Sequence, residues 1–391
     1  MVKSKKIFLT IILLFFFAAS VFAQQILQPW WLSLEQGKIL FRQGNYGGAL
    51  LLFEDARRDR RTVYEQMERD LISLLSINEV RRIGDYLDRV ERFSRDRYYT
   101  RATAALEELY YRIPKESLKN SANAALEALG KLKDYPEAEY WIGEVFRIEG
   151  ELTLALAQYN RAYSMREVLE DLSFSTALRY KIADIHRIRQ DYNEMERGLL
   201  SIINEFDNLW INARQADALP GNATNVPYAQ ASASFVSQSM TRILENEGVN
   251  RFLEMYRYNN RTVEQAHRFL GFHYAVTGRP SAQQHLMYSF LIQSSIIIEE
   301  VTRKQFDFAF TTLTALVNEA NRNPLLTAFM EEAEYYKTVY YLGASLYRNG
   351  KAASARSLWE FLAAVPQAGE WQSRSIVQLR TPHMEPIVEM P

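Results

Sequence analysis

The chain has 391 residues, of which 48% are hydrophobic and 24% are charged, and it contains no cysteine. This composition is typical of a globular protein and excludes disulfide bonds and a cysteine-linked lipid anchor. The formal net charge of −1 at pH 7 provides no bulk attraction to nucleic acid or to anionic lipid, so the sequence predicts neither as a partner.

The first 23 residues have the pattern of a secretory signal peptide. Three lysines at positions 3, 5 and 6 precede the apolar run Ile7–Phe17, and Val21 and Ala23 occupy the two positions that a signal peptidase reads before Gln24. We therefore predict export across the inner membrane and a periplasmic location, with no stable membrane span after cleavage. The alternative is an uncleaved N-terminal anchor, although the apolar stretch is shorter than the roughly 20 residues that span a bilayer.

From residue 24 onward the sequence reads almost entirely as α-helix. Apolar residues recur at intervals of three and four, as in Ala138–Phe146, and no run alternates with the period of two that strands show. We predict short helices of about 12 to 18 residues in an N-terminal block over residues 24–207 and a C-terminal block over residues 229–366. A loop at residues 208–228 separates the blocks, and an extended or disordered tail covers residues 367–391.

Four stretches of the chain share one spacing of small and large residues. A glycine is followed seven residues later by a second glycine, five further on by a small residue, and four after that by an aromatic residue or methionine. The fourth small position is the exception, since it holds Gln283 beside Ala282. The sets are Gly37, Gly44, Ala49 and Phe53; Gly143, Gly150, Ala155 and Tyr159; Gly343, Gly350, Ala355 and Trp359; and Gly271, Gly278, Gln283 and Met287.

This spacing resembles the tetratricopeptide repeat (TPR), a unit of two antiparallel helices called A and B. The resemblance implies an all-α fold in which irregular helix pairs stack as an α-solenoid with a right-handed superhelical twist. The first glycine would let helix A approach helix B, and the second would end helix A in a left-handed conformation. The alanine would leave room for the facing helix, and the aromatic residue would fill the space toward the next unit. A decayed version at Thr176–Ile203 has Gln190 in place of the second glycine.

The resemblance also implies where a partner would bind, because tetratricopeptide proteins line their concave groove mainly with residues of helix A. In this chain those positions are rich in aromatic and arginine side chains, which are common at protein-binding surfaces. The groove positions are Leu34, Lys38, Phe41 and Arg42; Tyr140, Glu144 and Arg147; Tyr180, Asp184 and Arg187; Arg268, Phe272 and Ala275; and Tyr340, Ala344, Tyr347 and Arg348.

The sequence shows no catalytic constellation. The five histidines lack the spacing of metal ligands, and we interpret His267 and His273 as packing or surface residues. We therefore predict no cofactor, no metal and no enzymatic activity. The predicted function is a non-catalytic scaffold that binds other envelope proteins or peptides, within a periplasmic export, cell-wall or flagellar-motor assembly. The alternative is a helical carrier of a small or apolar ligand, and a third hypothesis is an enzyme domain within Trp210–Glu264.

Overall fold

The computed structural model describes residues 29–76, 126–169, 173–207 and 239–383. All regular elements in these ranges are α-helices or short 3-10 helices, which confirms the predicted all-α fold. No helix in the described part of the chain is both long and apolar enough to cross a membrane. The predicted signal peptide, the predicted loop at residues 208–228 and the last part of the predicted tail, residues 384–391, lie outside the described residues.

The chain divides into two compact units between Asp191 and Tyr192. In the N-terminal unit, residues 126–132 are also helical, and a 3-10 turn at Arg166–Val168 follows the fourth helix that has defined bounds. The helices with defined bounds in this unit are α1 (Trp30–Arg42), α2 (Tyr46–Ser76), α3 (Pro136–Ile148), α4 (Leu152–Ser164) and α5 (Ser173–Ile188).

The C-terminal unit begins with the helix Tyr192–Phe206. The sequence predicts the boundary between the two helical blocks later in the chain, at residues 208–228. Residues 239–246 are helical as well, and a 3-10 turn covers Pro366–Ala368. The helices with defined bounds are α6 (Tyr192–Phe206), α7 (Val249–Met255), α8 (Arg261–Val276), α9 (Ala282–Lys304), α10 (Leu313–Ala320), α11 (Pro324–Glu332), α12 (Tyr335–Arg348), α13 (Ala352–Ala363) and α14 (Glu370–Arg380).

Consecutive helices pack as pairs, α1 with α2, α3 with α4, α8 with α9 and α12 with α13. The first glycine of each predicted repeat lies at the closest point of its pair. A Cβ atom added at Gly143 would fall 2.7 Å from the ring of Tyr159, and one added at Gly343 would fall 2.9 Å from the ring of Trp359. These distances are below van der Waals contact, so only glycine fits while the ring stays in place. The pairwise packing agrees with the predicted α-solenoid.

The second glycine of each repeat ends its helix as predicted. The φ angles are +78° at Gly44, +83° at Gly150, +72° at Gly278 and +77° at Gly350, all in the left-handed region. Glycine adopts this region at little cost, which allows the following residue to donate its N–H back to the helix. Gln190 also has a positive φ, of +60°, so the decayed repeat keeps this turn without a glycine.

The register of the pair α8–α9 differs from the predicted one. A Cβ atom added at Gly271 would meet Leu286 at 2.8 Å, so Leu286 takes the position predicted for Met287. Ala282 is likewise the buried small residue one position before Gln283. The turn differs as well, since α9 begins four residues after Gly278, whereas the other three B helices begin two residues after their glycine.

Two further expectations about helix length and the tail are wrong. Helices α2 and α9 contain 31 and 23 residues and exceed the predicted range. The segment predicted as an extended or disordered tail folds in part as α14, which packs against α13. This helix packs onto α12 through the ring of Trp371, whose centroid lies 5.4 Å from the ring centroid of Tyr340 and 5.6 Å from that of Tyr341.

Helix α9 is the centre of the C-terminal unit. Every residue from His285 to Ile298 is buried, because α7, α8, α10, α11 and α12 all contact α9. A helix that is enclosed on all sides cannot send its polar side chains to water, so these side chains must find partners inside the protein.

We expect Gly143→Ala to lower the free energy of unfolding by about 1–3 kcal/mol. The Tyr159 ring cannot yield easily, because it is fully buried and its hydroxyl donates a 2.5 Å hydrogen bond to Glu144. Urea denaturation checks this prediction. Gly47→Ala on α2 is the control, since nothing lies within 4 Å of the added Cβ atom and alanine favours the helix. Equal destabilisation by the two substitutions would contradict our account of the close contact.

Candidate partner-binding surface

The predicted groove residues of α1 lie beside Trp141 of α3. The rings of Phe41 and Trp141 meet edge-on with centroids 5.3 Å apart, and the Lys38 ammonium lies 5.9 Å from the centroid of the Trp141 ring. Trp141 also stacks on Phe53 behind it, with centroids 5.9 Å apart. Phe41 and Trp141 are half-buried and Arg42 is exposed, so aromatic and cationic groups reach the surface together.

Glu144 of α3 connects three helices. Its carboxylate accepts a hydrogen bond from the hydroxyl of Tyr159 on α4 at 2.5 Å and pairs with Lys181 on α5 at 2.9 Å. Arg147, one turn along α3, donates a third hydrogen bond at 2.9 Å. The structure corrects the prediction that Glu144 lines an open groove, because these donors surround the side chain and leave it 6% exposed.

The contacts of Glu144 determine its protonation. Burial alone would raise the pKa of Glu144, but the hydrogen bonds from Arg147, Tyr159 and Lys181 together hold that pKa below its ordinary value. Burial, and then the hydrogen bond to Glu144, raises the pKa of Tyr159. At neutral pH Glu144 is therefore an anion and Tyr159 a neutral donor.

Helix α5 continues the surface of α3. The ring of Tyr140 meets the ring of Phe174 with centroids 4.6 Å apart, and Arg187 donates to Asp184 at 2.8 Å and 3.1 Å from two of its nitrogens. Five charged side chains in this region are partly exposed, each by between 21% and 31%. They are Lys38, Arg147, Lys181, Asp184 and Arg187. The α1–α3–α5 surface is defined as Lys38, Phe41, Arg42, Tyr140, Trp141, Arg147, Tyr180, Lys181, Asp184 and Arg187.

The predicted groove residue Tyr340 of the C-terminal unit is buried, so the structure corrects its expected role. Helix α14 covers it, with the Arg374 guanidinium 5.0 Å from its ring centroid and the amide of Gln378 donating to its hydroxyl at 3.3 Å. Tyr347, two turns further along α12, remains half-buried beside the ring of Trp359.

Phe272 and Arg268 of α8 are buried as well, contrary to the prediction. Phe272 is fully buried and meets the ring of Tyr341 edge-on. The Arg268 guanidinium donates to Glu334 at 2.6 Å and to Glu264 at 3.3 Å, which uses its charge inside the unit. Both side chains are enclosed because α9 and α12 pack against α8.

The other predicted groove residues of this unit border a pocket. Ala275, Ala344 and Arg348 line a cavity of about 110 Å³ at the turn between α8 and α9. Arg348 is exposed and its guanidinium donates to the carbonyl of Ala275 at 3.3 Å. The structure therefore separates the predicted groove of the C-terminal unit into buried residues and a small pocket.

A buried polar network in the C-terminal unit was not predicted from the sequence. His267 on α8 donates to Asp207 across 2.8 Å, and its other ring nitrogen lies 2.9 Å from His285 of α9. The hydroxyl of Tyr258 donates to the second oxygen of Asp207 at 2.7 Å. A sequence signal did exist, because His285, Ser289 and Gln293 recur at intervals of four and so form a polar stripe along α9.

The network of Asp207, His267 and His285 links α8 to α9 and is not accessible to solvent. A carboxylate paired with an imidazole can support acid–base chemistry in an open site. Here Asp207 and His267 are fully buried and His285 is 2% exposed, so a substrate could not reach them without opening the unit. No group of three or more acidic, histidine or cysteine side chains among the described residues is arranged to hold a metal ion.

We expect Glu144→Gln to lower stability at pH 7 and to reduce the loss of stability in acid. Because the folded pKa is lowered, the carboxylate stabilises the fold fully above its unfolded pKa of about 4.3, and this contribution disappears as the pH falls through the folded value. The difference between wild type and variant should therefore shrink below about pH 4. Urea unfolding at a series of pH values measures it, with the exposed Glu54→Gln as control. A difference that does not change with pH would contradict the assignment.

We expect Asp207→Ala to destabilise the protein by about 3 kcal/mol, because it removes the acceptor of two buried hydrogen bonds. Thermal and urea unfolding measure the effect. Asp307→Ala is the matched control in the same unit, since Asp307 is exposed and its loss should cost less than about 0.5 kcal/mol. If the two substitutions had the same effect, the network would not stabilise the unit.

Comparison with known proteins finds similarity over most of the chain. No protein-family model matches the sequence. The chain is 24% identical over 356 residues to a protein of Treponema pallidum, a match that covers 90% of this chain and 89% of the relative. It is 22% identical over 244 residues to a protein of Borreliella burgdorferi, covering 60% of this chain and 72% of the relative. Both relatives are described as uncharacterized proteins, so their names state no activity.

Proposed function

We propose that this protein is a non-catalytic interaction scaffold of the bacterial envelope, built from TPR-like helix pairs. It binds other envelope proteins or peptides through the α1–α3–α5 surface. The proposed setting is a periplasmic assembly for export, cell-wall synthesis or flagellar rotation.

The observation that carries this proposal is the combination of half-buried aromatic side chains and partly exposed charged side chains on α1, α3 and α5. Tryptophan, tyrosine and arginine contribute more to protein–protein binding than most residues do, because they bury a large area and also donate hydrogen bonds. Trp141 is held between Phe41 and Phe53, and Lys181 is held by Glu144. Side chains that are already held lose little conformational entropy when a partner binds.

The envelope location rests on the first 23 residues, whose basic start and apolar run are typical of an export signal. Removal of those residues takes away three lysines and no acidic residue, so the formal net charge changes from −1 to −4. This charge supports a protein partner over a nucleic acid.

The alternative function, a carrier of a small or apolar ligand, requires an enclosed apolar cavity. The pocket described in the C-terminal unit is small and is bordered by Arg279 and Arg348. It therefore lends no support to an apolar ligand, and the scaffold remains the function that we propose.

Crosslinking in intact cells that express the full chain tests the proposal. We expect the double substitution Lys38→Glu and Arg42→Glu to reduce capture of a specific partner by roughly tenfold, because it reverses two charges on α1, one of which lies over the Trp141 ring. Mass spectrometry of the captured proteins provides the measurement, and circular dichroism checks that the helices remain folded.

The matched control reverses two exposed arginines on α2, with Arg58→Glu and Arg69→Glu. This control should leave capture unchanged, since these residues lie outside the α1–α3–α5 surface. Equal capture by both double variants would place the binding surface elsewhere and overturn the proposal.

A further inference from the structure

We propose that the pocket beside Arg348 binds a carboxylate group. This pocket has a volume of about 110 Å³ and lies in the C-terminal unit, between the α8–α9 turn and helix α12. It shares no residue with the α1–α3–α5 surface, so the inference goes beyond the proposed function and does not depend on it.

One face of α12 forms the first wall of the pocket. Tyr341, Ala344, Ser345 and Arg348 all line it, and their spacing of three and four places them on the same side of a helix. The sequence of side chains along this wall runs from an aromatic ring through two small residues to a guanidinium. A ligand with an apolar stem and an anionic head matches that order.

Small residues of the α8–α9 turn form the opposite wall and create the space. Ala275 and Ala282 contribute only methyl groups, and Gly278 contributes no side chain. Gly278 has φ of +72°, and nothing lies within 4 Å of the position that a Cβ atom would occupy. The same glycine that ends α8 therefore keeps this side of the pocket open.

Hydrogen-bond donors in the pocket outnumber their partners. Arg348 carries five N–H donors, and its one side-chain hydrogen bond within the described residues is the 3.3 Å bond to the Ala275 carbonyl. The hydroxyl of Ser345 makes no hydrogen bond with any described residue. Two adjacent donor groups on one helix face therefore point to an acceptor supplied by a ligand.

The positive charge of the residues that line the pocket favours binding of an anion. None of the residues that line it is acidic, and two of them, Arg279 and Arg348, are cations. Glu196 pairs with Arg279 at 2.7 Å and offsets its charge, so Arg348 provides the charge that is not compensated. Two carbonyls at the end of α8 already have hydrogen-bond donors, since the backbone N–H of Arg279 donates to Tyr274 at 2.8 Å and the Arg348 guanidinium donates to Ala275 at 3.3 Å.

Geometry favours a carboxylate among anions. A guanidinium binds the two oxygens of a carboxylate through two parallel hydrogen bonds, and the Ser345 hydroxyl can donate a third. The ring of Tyr341 and the methyl of Ala344 would contact a short methylene stem. A carboxylate on a short methylene stem occurs both in a glutamate side chain and in a free small carboxylic acid. The experiment must distinguish these two ligands.

Ligand-observed NMR on the full chain tests the inference with three probes. These are glutarate, glutamate capped at both ends as amides, and the equally capped glutamine. We expect saturable binding of a carboxylate probe in the millimolar range and no binding of capped glutamine. Binding of glutarate alone assigns the pocket to a free acid, and binding of capped glutamate assigns it to a protein segment. The inference is overturned if neither binds or if glutamine binds equally well.

Three variants locate the binding. Arg348→Gln should weaken it by roughly tenfold, because the bidentate contact is lost. Ala344→Phe should abolish it by filling the pocket while Arg348 stays in place. Arg356→Gln on α13 removes an exposed arginine outside the pocket and should change nothing. Binding that survives both Arg348→Gln and Ala344→Phe would show that the carboxylate does not occupy this pocket.

Discussion

The close approach of paired helices at a single glycine is the contact on which much of this structure depends. At each of three such positions, a large ring of helix B presses against helix A and also holds a neighbouring side chain in place. The Phe53 ring supports Trp141, the Tyr159 hydroxyl holds Glu144, and the Trp359 ring lies against Tyr347. One type of contact thus positions a side chain beside each of these rings.

The C-terminal unit adds a second constraint, which is the enclosure of α9. Because α9 is surrounded by other helices, several of its polar residues find partners within the unit. Ser289 and Gln293 both donate to Glu264 of α8, and Ser294 contacts the hydroxyl of Tyr335 on α12. Buried polar pairs of this kind favour one arrangement of helices over others, since any shift would leave a donor without an acceptor.

The sequence predicts those features that depend on residues close together in the chain. The contact of Gly143 with Tyr159 and the left-handed turn at Gly150 lie within one helix pair, so their spacing reveals them. The burial of Tyr340 could not be predicted in this way, because it requires α14 to fold over α12. Asp207 and His267 are 60 residues apart, so no spacing indicates their pairing. The register of α9 is shifted by one residue, so that Leu286 faces Gly271, and a fixed repeat template does not allow for such a shift.

The length of α2 determines whether the first helix pair of the N-terminal unit can be treated as an independent module. With 31 residues, α2 extends for about 46 Å, more than twice the length of α1, which has 13 residues. Its Arg60 is buried, donates to the carbonyl of Leu132 at 2.8 Å and lies over the ring of Tyr135. Residues about 70 positions further along the chain therefore form part of the core of the first helix pair. It is not a self-contained module, and it could not be exchanged, duplicated or transplanted as consensus repeats can.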